Sequence, residues 1–423
     1  MNSNTLIGAA IGAGAVGLGL LGGWLLFGGE TSTPAPAASQ GGVSSATAPL
    51  TGIAAAEAAY GQGDLETAFN LLVPLAEGGD ALAMQRIGYM YSEGLFVQRD
   101  IGSAIEWLER AVDAGNDNAR TLLVQLLNQR AESEGGAGAQ AVADLERAAA
   151  LGDPQAQAVI GSYYLVGAEG LPRDPARAIE LLTVAGEAGD VRAQSNLGYV
   201  YATGTGADVD HEQARYWYQQ AAEAGMVRAQ VAYASYLQRG LGGEENFAEA
   251  VRYYINAAEG GSDLAQRQLG LMIVEERMVA PDAVRGAAFV SALARGGDAR
   301  GLEWLEARAS QGDGAAAFRL GTLLEDGEGA PQDSARARAL FAEAAQAGDP
   351  GAQLRMSNIM AAGVGGEPDY VEAHKWANLA AAQGLEAAVR ARSSLAELMT
   401  AEQLAQAQAR ATEWTETRRD AEN

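Results

Sequence analysis

Glycines recur along this chain at a nearly fixed interval. Gly79, Gly115, Gly152, Gly189, Gly225, Gly261 and Gly297 follow one another at 36 or 37 residues, and Gly312, Gly348 and Gly384 continue at 36. A unit of that length cannot bury a core alone, so the period restricts the chain to a stack in which each unit covers its neighbours. The stretch from Ala185 to Gly225 shows what one unit holds. Ala193, Leu197, Gly198, Val200 and Tyr201 fall on one face of a helix over about Val191–Tyr201. Gly204 and Gly206 interrupt that pattern. Asp210 then offers an N-cap, and Ala214, Trp217, Tyr218, Ala221 and Ala222 form a second apolar stripe.

The register is kept along most of the chain. Four positions after the anchor glycine stands alanine in nine copies: Ala83, Ala119, Ala156, Ala193, Ala229, Ala265, Ala316, Ala352 and Ala388. Eight positions after it come Ile87, Leu123, Ile160, Leu197, Tyr233, Leu269, Leu320 and Met356. One residue further, Gly88, Gly161, Gly198, Gly270 and Gly321 leave room for a second helix to approach closely. Aromatic residues such as Tyr91, Trp107, Tyr164, Tyr201, Trp217, Tyr218, Tyr253, Tyr254 and Trp376 fall at core positions. Asp153-Pro154, Asp174-Pro175 and Asp349-Pro350 each place a capping acid before a proline suited to the first helical turn.

The string G-D-x-x-A-Q-x-x-L-G-x-x-Y, a glycine-rich loop, then D-x-x-x-A-x-x-W-x-x-x-A-A resembles the Sel1-like repeat, a relative of the tetratricopeptide repeat. The match runs from about Ala55 to Gln383 and is weakest at Asn116–Gly136 and Pro281–Gln311, where aromatic and loop-glycine positions are lost. The resemblance implies an all-α fold, an α-solenoid of stacked helix–turn–helix units that mediates protein–protein contacts, often in bacterial envelope or signalling systems. One departure from the period is marked. Between Gly297 and Gly312 there is room for a single helix, from about Asp298 to Ser310, so a phase break is expected there.

The chain therefore reads as four parts. Residues 1–29 carry no charged side chain, and Leu6–Phe27 is apolar or small throughout. About 20 such residues cross a bilayer, and the run lacks the basic start of a cleaved signal peptide. A retained membrane anchor is expected. Gly8/Gly12 and Gly19/Gly23 would permit close helix pairing within the bilayer, and hence self-association. Residues 30–50, rich in Pro, Ala, Ser, Thr and Gly, read as a flexible linker. The solenoid follows over 51–399, and 400–423 reads as a C-terminal helix whose polar face would cap the array. With no Lys or Arg before Arg86, the amino group and Glu30 leave the repeats outside the cytoplasm, in a bacterial periplasm.

Composition narrows the partners. Formal net charge is −25, from 54 acids against 29 bases, which disfavours nucleic acid and anionic lipid surfaces and favours neutral or basic protein surfaces. With no cysteine, thiol chemistry is excluded. Glycine strings at Gly204–Gly206, Gly327–Gly329 and Gly363–Gly366 occupy one place in the repeat and lack the Lys-Ser/Thr of a phosphate loop, so they read as turns. The cluster Asp208-Val209-Asp210-His211-Glu212 reads as a capped helix start, not a metal site. No nucleophile–base–orienter set is placed together, so neither an enzyme nor a cofactor is expected.

Recognition is sought instead on the first helix of each unit, off the core stripe. Three, seven and ten positions after the anchor share one face, carrying Arg86, Tyr89, Arg192, Asn196, Tyr199, Arg228, Gln268, Arg319 and Arg355. Arg and Tyr are favoured interface anchors, whereas a polar face whose arginines are paired by neighbouring acids is the structural alternative. The sequence thus points to a membrane-anchored scaffold or adaptor of the bacterial cell envelope. A periplasmic regulator restraining a membrane sensor or envelope enzyme is the second reading, and a repeat-based hydrolase the remote third.

Overall fold

The computed structural model describes residues 51–133, 135, 138–168, 170–364 and 366–422. The expected anchor and linker, with Gly8/Gly12 and Gly19/Gly23, lie outside them, as does Gly365. Among the described residues there are 21 helices and no strand, and no helix is long and apolar enough to cross a membrane. The helices are α1 (Ile53–Gly61), α2 (Leu65–Glu77), α3 (Ala81–Glu93), α4 (Ile101–Asp113), α5 (Asp117–Ser133), α6 (Ala139–Ala150), α7 (Pro154–Val166), α8 (Pro175–Glu187), α9 (Val191–Thr203) and α10 (His211–Glu223). They continue with α11 (Val227–Arg239), α12 (Phe247–Glu259), α13 (Asp263–Val274), α14 (Ala283–Arg295), α15 (Ala299–Ser310), α16 (Gly314–Asp326), α17 (Ser334–Gln346), α18 (Pro350–Ala361), α19 (Tyr370–Ala382), α20 (Glu386–Leu398) and α21 (Ala401–Glu422). This is an α-solenoid, and its chain divides into two compact units at Trp217/Tyr218, within α10.

The same local devices start and end the helices of both units. Asp64, Asp80, Asp100, Asp153, Asp174 and Asp190 cap helices of the first unit through their carboxylates. Asp282, Asp298, Asp313, Asp333, Asp349 and Asp369 do so in the second. Each such cap contributes about 1 kcal/mol, so part of the chain's acidity serves folding. The anchor glycines all have φ between +85° and +98°, a left-handed conformation that would strain any side chain.

In the first unit the buried faces of α3 and α4 meet through Ile87, Met90, Ile105 and Leu108, all at most 2% exposed. Glycines nine after the anchor allow this contact. A Cβ on Gly88 would lie 2.7 Å from Leu108 Cγ, and one on Gly161 would lie 2.9 Å from Leu182 Cγ. The pair α5–α6 is irregular. Its core includes Asp144, fully buried, whose carboxylate receives Arg130 Nε and Nη2 at 2.6 Å each and Gln140 Nε2 at 3.1 Å. A charged clamp thus stands in the unit that lacks the usual aromatics.

In the second unit α11–α12, α13–α14, α16–α17 and α18–α19 pair as first and second helices, with Tyr233 against Tyr253 edge-on at 5.0 Å and Phe318 against Phe341 tilted at 5.9 Å. Helix α15 stands alone. It carries glycine where nine other copies have alanine, and a Cβ on Gly301 would lie 2.8 Å from Ala294 N and 2.9 Å from Val290 O. Helix α14 therefore packs on both α15 and α16. Of the aromatics assigned to the core, Trp217, Tyr218, Tyr253, Tyr254 and Trp376 are buried, while Tyr91, Trp107, Tyr164 and Tyr201 are partly exposed.

The C-terminal helix does not pair with α20 as a second helix would. Helix α20 carries Arg392 and Ser393 where regular copies place an apolar residue and glycine, and α21 instead folds back along α19. Ala407 and Ala411 are buried there, Trp414 meets Trp376 edge-on at 6.2 Å, and Arg410 pairs with Glu372 at 2.5 Å. Trp414 Nε1 donates to Gln346 Oε1 at 2.9 Å, so the helix reaches back to the end of α17.

Candidate functional site

The nine residues proposed on the first-helix face separate by register. Three of the five that stand seven positions after the anchor, Arg86, Asn196 and Arg355, hold neighbouring first helices together. Arg86 of α3 pairs with Glu57 of α1 at 3.1 Å, and its side chain is 6% exposed. Asn196 of α9 donates through Nδ2 to Ser162 Oγ of α7 at 2.7 Å. Arg355 of α18 pairs with Glu325 of α16. These residues form a polar stitch between consecutive first helices.

The remaining six residues, Gln268 and Arg319 of that row among them, differ. Arg192 leans on its own helix cap, Asp190, at 3.5 Å and stays 44% exposed. Tyr199, on the same helix, is 46% exposed. Arg228 is exposed and Gln268 partly buried. Tyr89 is partly buried, and its hydroxyl pKa is raised by burial and by Tyr60 and Glu93, against the opposing effect of Arg86. Arg319 on α16 is partly buried; it stacks 5.7 Å from the Phe318 ring and makes no hydrogen bond or ion pair among the described residues. The structure therefore brings the nine residues onto one kind of helix, with Arg192 and Tyr199 together on α9.

The glutamine of the repeat string has a role the sequence reading missed. Gln157, Gln194, Gln230 and Gln353 are buried, and each donates through Nε2 to a carbonyl eight residues earlier, at 3.0–3.4 Å. The acceptors, Ala149, Gly186, Ala222 and Ala345, lie in the last turn of the preceding helix, where carbonyls lack helical partners. The visible signal was glutamine recurring five positions after the anchor. Among the described residues, no three His, Asp or Glu side chains converge as metal ligands.

The Sel1 repeat family model matches residues 81–116, 154–190, 191–226, 227–262, 314–349 and 350–385, more than half of the chain. No curated protein matches the sequence. Among solved structures, a Sel1 repeat protein from Oxalobacter formigenes is 27% identical over 72% of this chain and 86% of its own, with a TM-score of 0.43. A protective antigen of uropathogenic Escherichia coli, described as having an SLR fold, is 24% identical over 86% of this chain and 91% of its own, with a TM-score of 0.39. Yeast Tom70 is 13% identical over 86% of this chain and 88% of its own, with a TM-score of 0.24. The regions left unmatched include α5–α6, α15 and α20–α21, three places where the structure departs from the regular pairing of first and second helices. Six matched repeats, their shared caps and their clamping glutamines lead to one conclusion: this chain belongs to the Sel1 repeat family.

Proposed function

We propose that this chain is a scaffold that captures a protein partner on its first-helix face while its N-terminal apolar segment holds it at a membrane, with the repeats in the bacterial periplasm. Sel1 repeat proteins act in general as protein-interaction modules, not as enzymes. The observation that carries the reading here is the exposed pair Arg192 and Tyr199 on α9. Their helix is capped by Asp190 and stitched to α7 through Asn196 and Ser162, so both anchors are held before a partner arrives. A net charge of −25 matches a partner with a neutral or basic surface. The membrane part of the proposal rests on the uncharged run before Glu30 and the Pro/Ser/Thr-rich linker after it.

Crosslinking in intact cells, followed by affinity capture and mass spectrometry, tests both parts. Three proteins are compared: the full chain, a version starting at Thr51, and an Arg192→Ala/Tyr199→Ala/Arg228→Ala variant. The full chain should resist carbonate extraction and capture one dominant envelope protein. The shortened version should leave the membrane fraction yet keep the partner, and the triple variant should lose it. Capture that needs the N-terminal segment and ignores the triple variant would move recognition off the repeats.

A further inference from the structure

Arg319 occupies the register in which Arg86 and Arg355 each meet a carboxylate of the preceding first helix. Its own preceding helix is the solitary α15. Thirteen positions after the anchor, where α16 places Glu325, α15 places Ser310, whose hydroxyl donates to Ala307 O at 2.8 Å. Helix α15 therefore offers Arg319 no carboxylate at the place from which Glu325 reaches Arg355.

Among the described residues no carboxylate forms an ion pair with Arg319, which lies against the Phe318 ring. Glu328 pairs with Arg295 at 2.7 Å. Asp349 attracts Arg319 but makes no ion pair with it, and its carboxylate caps α18 by accepting from Ala352 N at 2.8 Å. Burial lowers the pKa of Arg319, and Arg295 acts in the same direction, while Asp349 opposes them. A partly desolvated guanidinium without a hydrogen-bonded counter-ion is unfavourable in the free protein and is correspondingly ready for one.

We propose that Arg319 is an anchor for a carboxylate carried by the protein partner. The inference rests on the reading that partners dock on the first-helix face, and it adds the chemical group recognised there. The register's own chemistry selects a carboxylate, since both equivalent arginines hold one. The chain's large negative charge favours a single acidic group on an otherwise neutral or basic partner over a polyanion. A planar fork whose surroundings already exclude part of the water binds such a group with directional, charge-assisted hydrogen bonds.

The test uses the purified full chain and three probes titrated at low ionic strength: a capped Ala-Glu-Ala tripeptide, an alanine tripeptide with a free C-terminal carboxylate, and a capped Ala-Gln-Ala control. At least one carboxylate probe should bind saturably and the neutral control should not. Arg319→Met should weaken that binding by about tenfold or more, and Arg355→Met should leave it unchanged. Which probe binds distinguishes a side-chain from a terminal carboxylate. Should Arg319→Met misfold by circular dichroism, Arg319→Lys serves instead, and it too should weaken binding because it loses the fork. Equal binding by wild type and variant, or binding indifferent to the carboxylate, would overturn the inference. In cells, capture lost in the Arg192/Tyr199/Arg228 variant but intact in Arg319→Met would end the carboxylate anchor and leave the docking face standing. Capture intact in both would remove the docking face as well.

Discussion

Two of the departures from the repeat, at α5–α6 and at α15, have opposite electrostatic consequences. At α5–α6 the lost aromatic positions are made good internally, because Asp144 is buried and clamped by both arms of Arg130. At α15 the lost second helix leaves the register incomplete, and Arg319 has no counterpart to the carboxylates that serve Arg86 and Arg355. An irregular repeat is therefore not a functional signal in itself. What separates the two is whether the charge exposed by the irregularity has been satisfied within the chain.

The closed departure should be the easier one to break. Asp144→Ala strips the counter-ion from Arg130 in a buried setting, and the expected loss is about 3–5 kcal/mol of stability. Urea unfolding would measure it, and a loss below 1 kcal/mol would mean that water already serves the guanidinium. At the open departure, Gly301→Ala restores the residue found in nine other copies and should nonetheless destabilise. The added carbon would sit 2.8 Å from Ala294 N, and the overpacking costs about 1–3 kcal/mol. Thermal unfolding checks the sign.

Acidity should act on the second unit through His374. Its side chain is buried, and burial, with Arg392 nearby, holds its pKa below the ordinary value. The unfolded chain then binds the proton first as pH falls. Stability from this site is complete above the unfolded pKa of about 6.5 and declines below it until the folded pKa is reached. His374→Gln should flatten that part of the pH–stability profile. The smallest effects concern the arginine row. Arg355→Met breaks a half-exposed pair and should cost about 0–1 kcal/mol, whereas Arg319→Met breaks none and should leave the melting temperature unchanged or higher.

Much of this organisation was legible in the sequence, because caps, anchor glycines and apolar stripes act within a few residues. Asp64, Asp153-Pro154 and Asp298 each begin a helix for local reasons, and the solitary helix before Gly312 followed from counting. The state of the arginine row was less accessible. Arg86 finds Glu57, and Arg355 finds Glu325, 29 and 30 residues upstream, so only the stacking of helices decides which guanidinium is satisfied. The course of α21 was hidden for the same reason. Its stripe of Ala407, Ala411 and Trp414 can be read, but the surface it covers, from Trp376 back to Gln346, is assembled from two repeats.

The most direct test of the central claim sets partner capture against stability for the two arginines in one register. Wild type, Arg319→Met and Arg355→Met would be crosslinked in cells and captured, and the melting temperature of each purified full chain measured alongside. The account predicts that Arg319→Met loses its partner at an unlowered melting temperature, while Arg355→Met keeps its partner and melts at or slightly below the wild-type temperature. Undiminished capture by Arg319→Met, or capture that falls only in step with melting temperature, would contradict it.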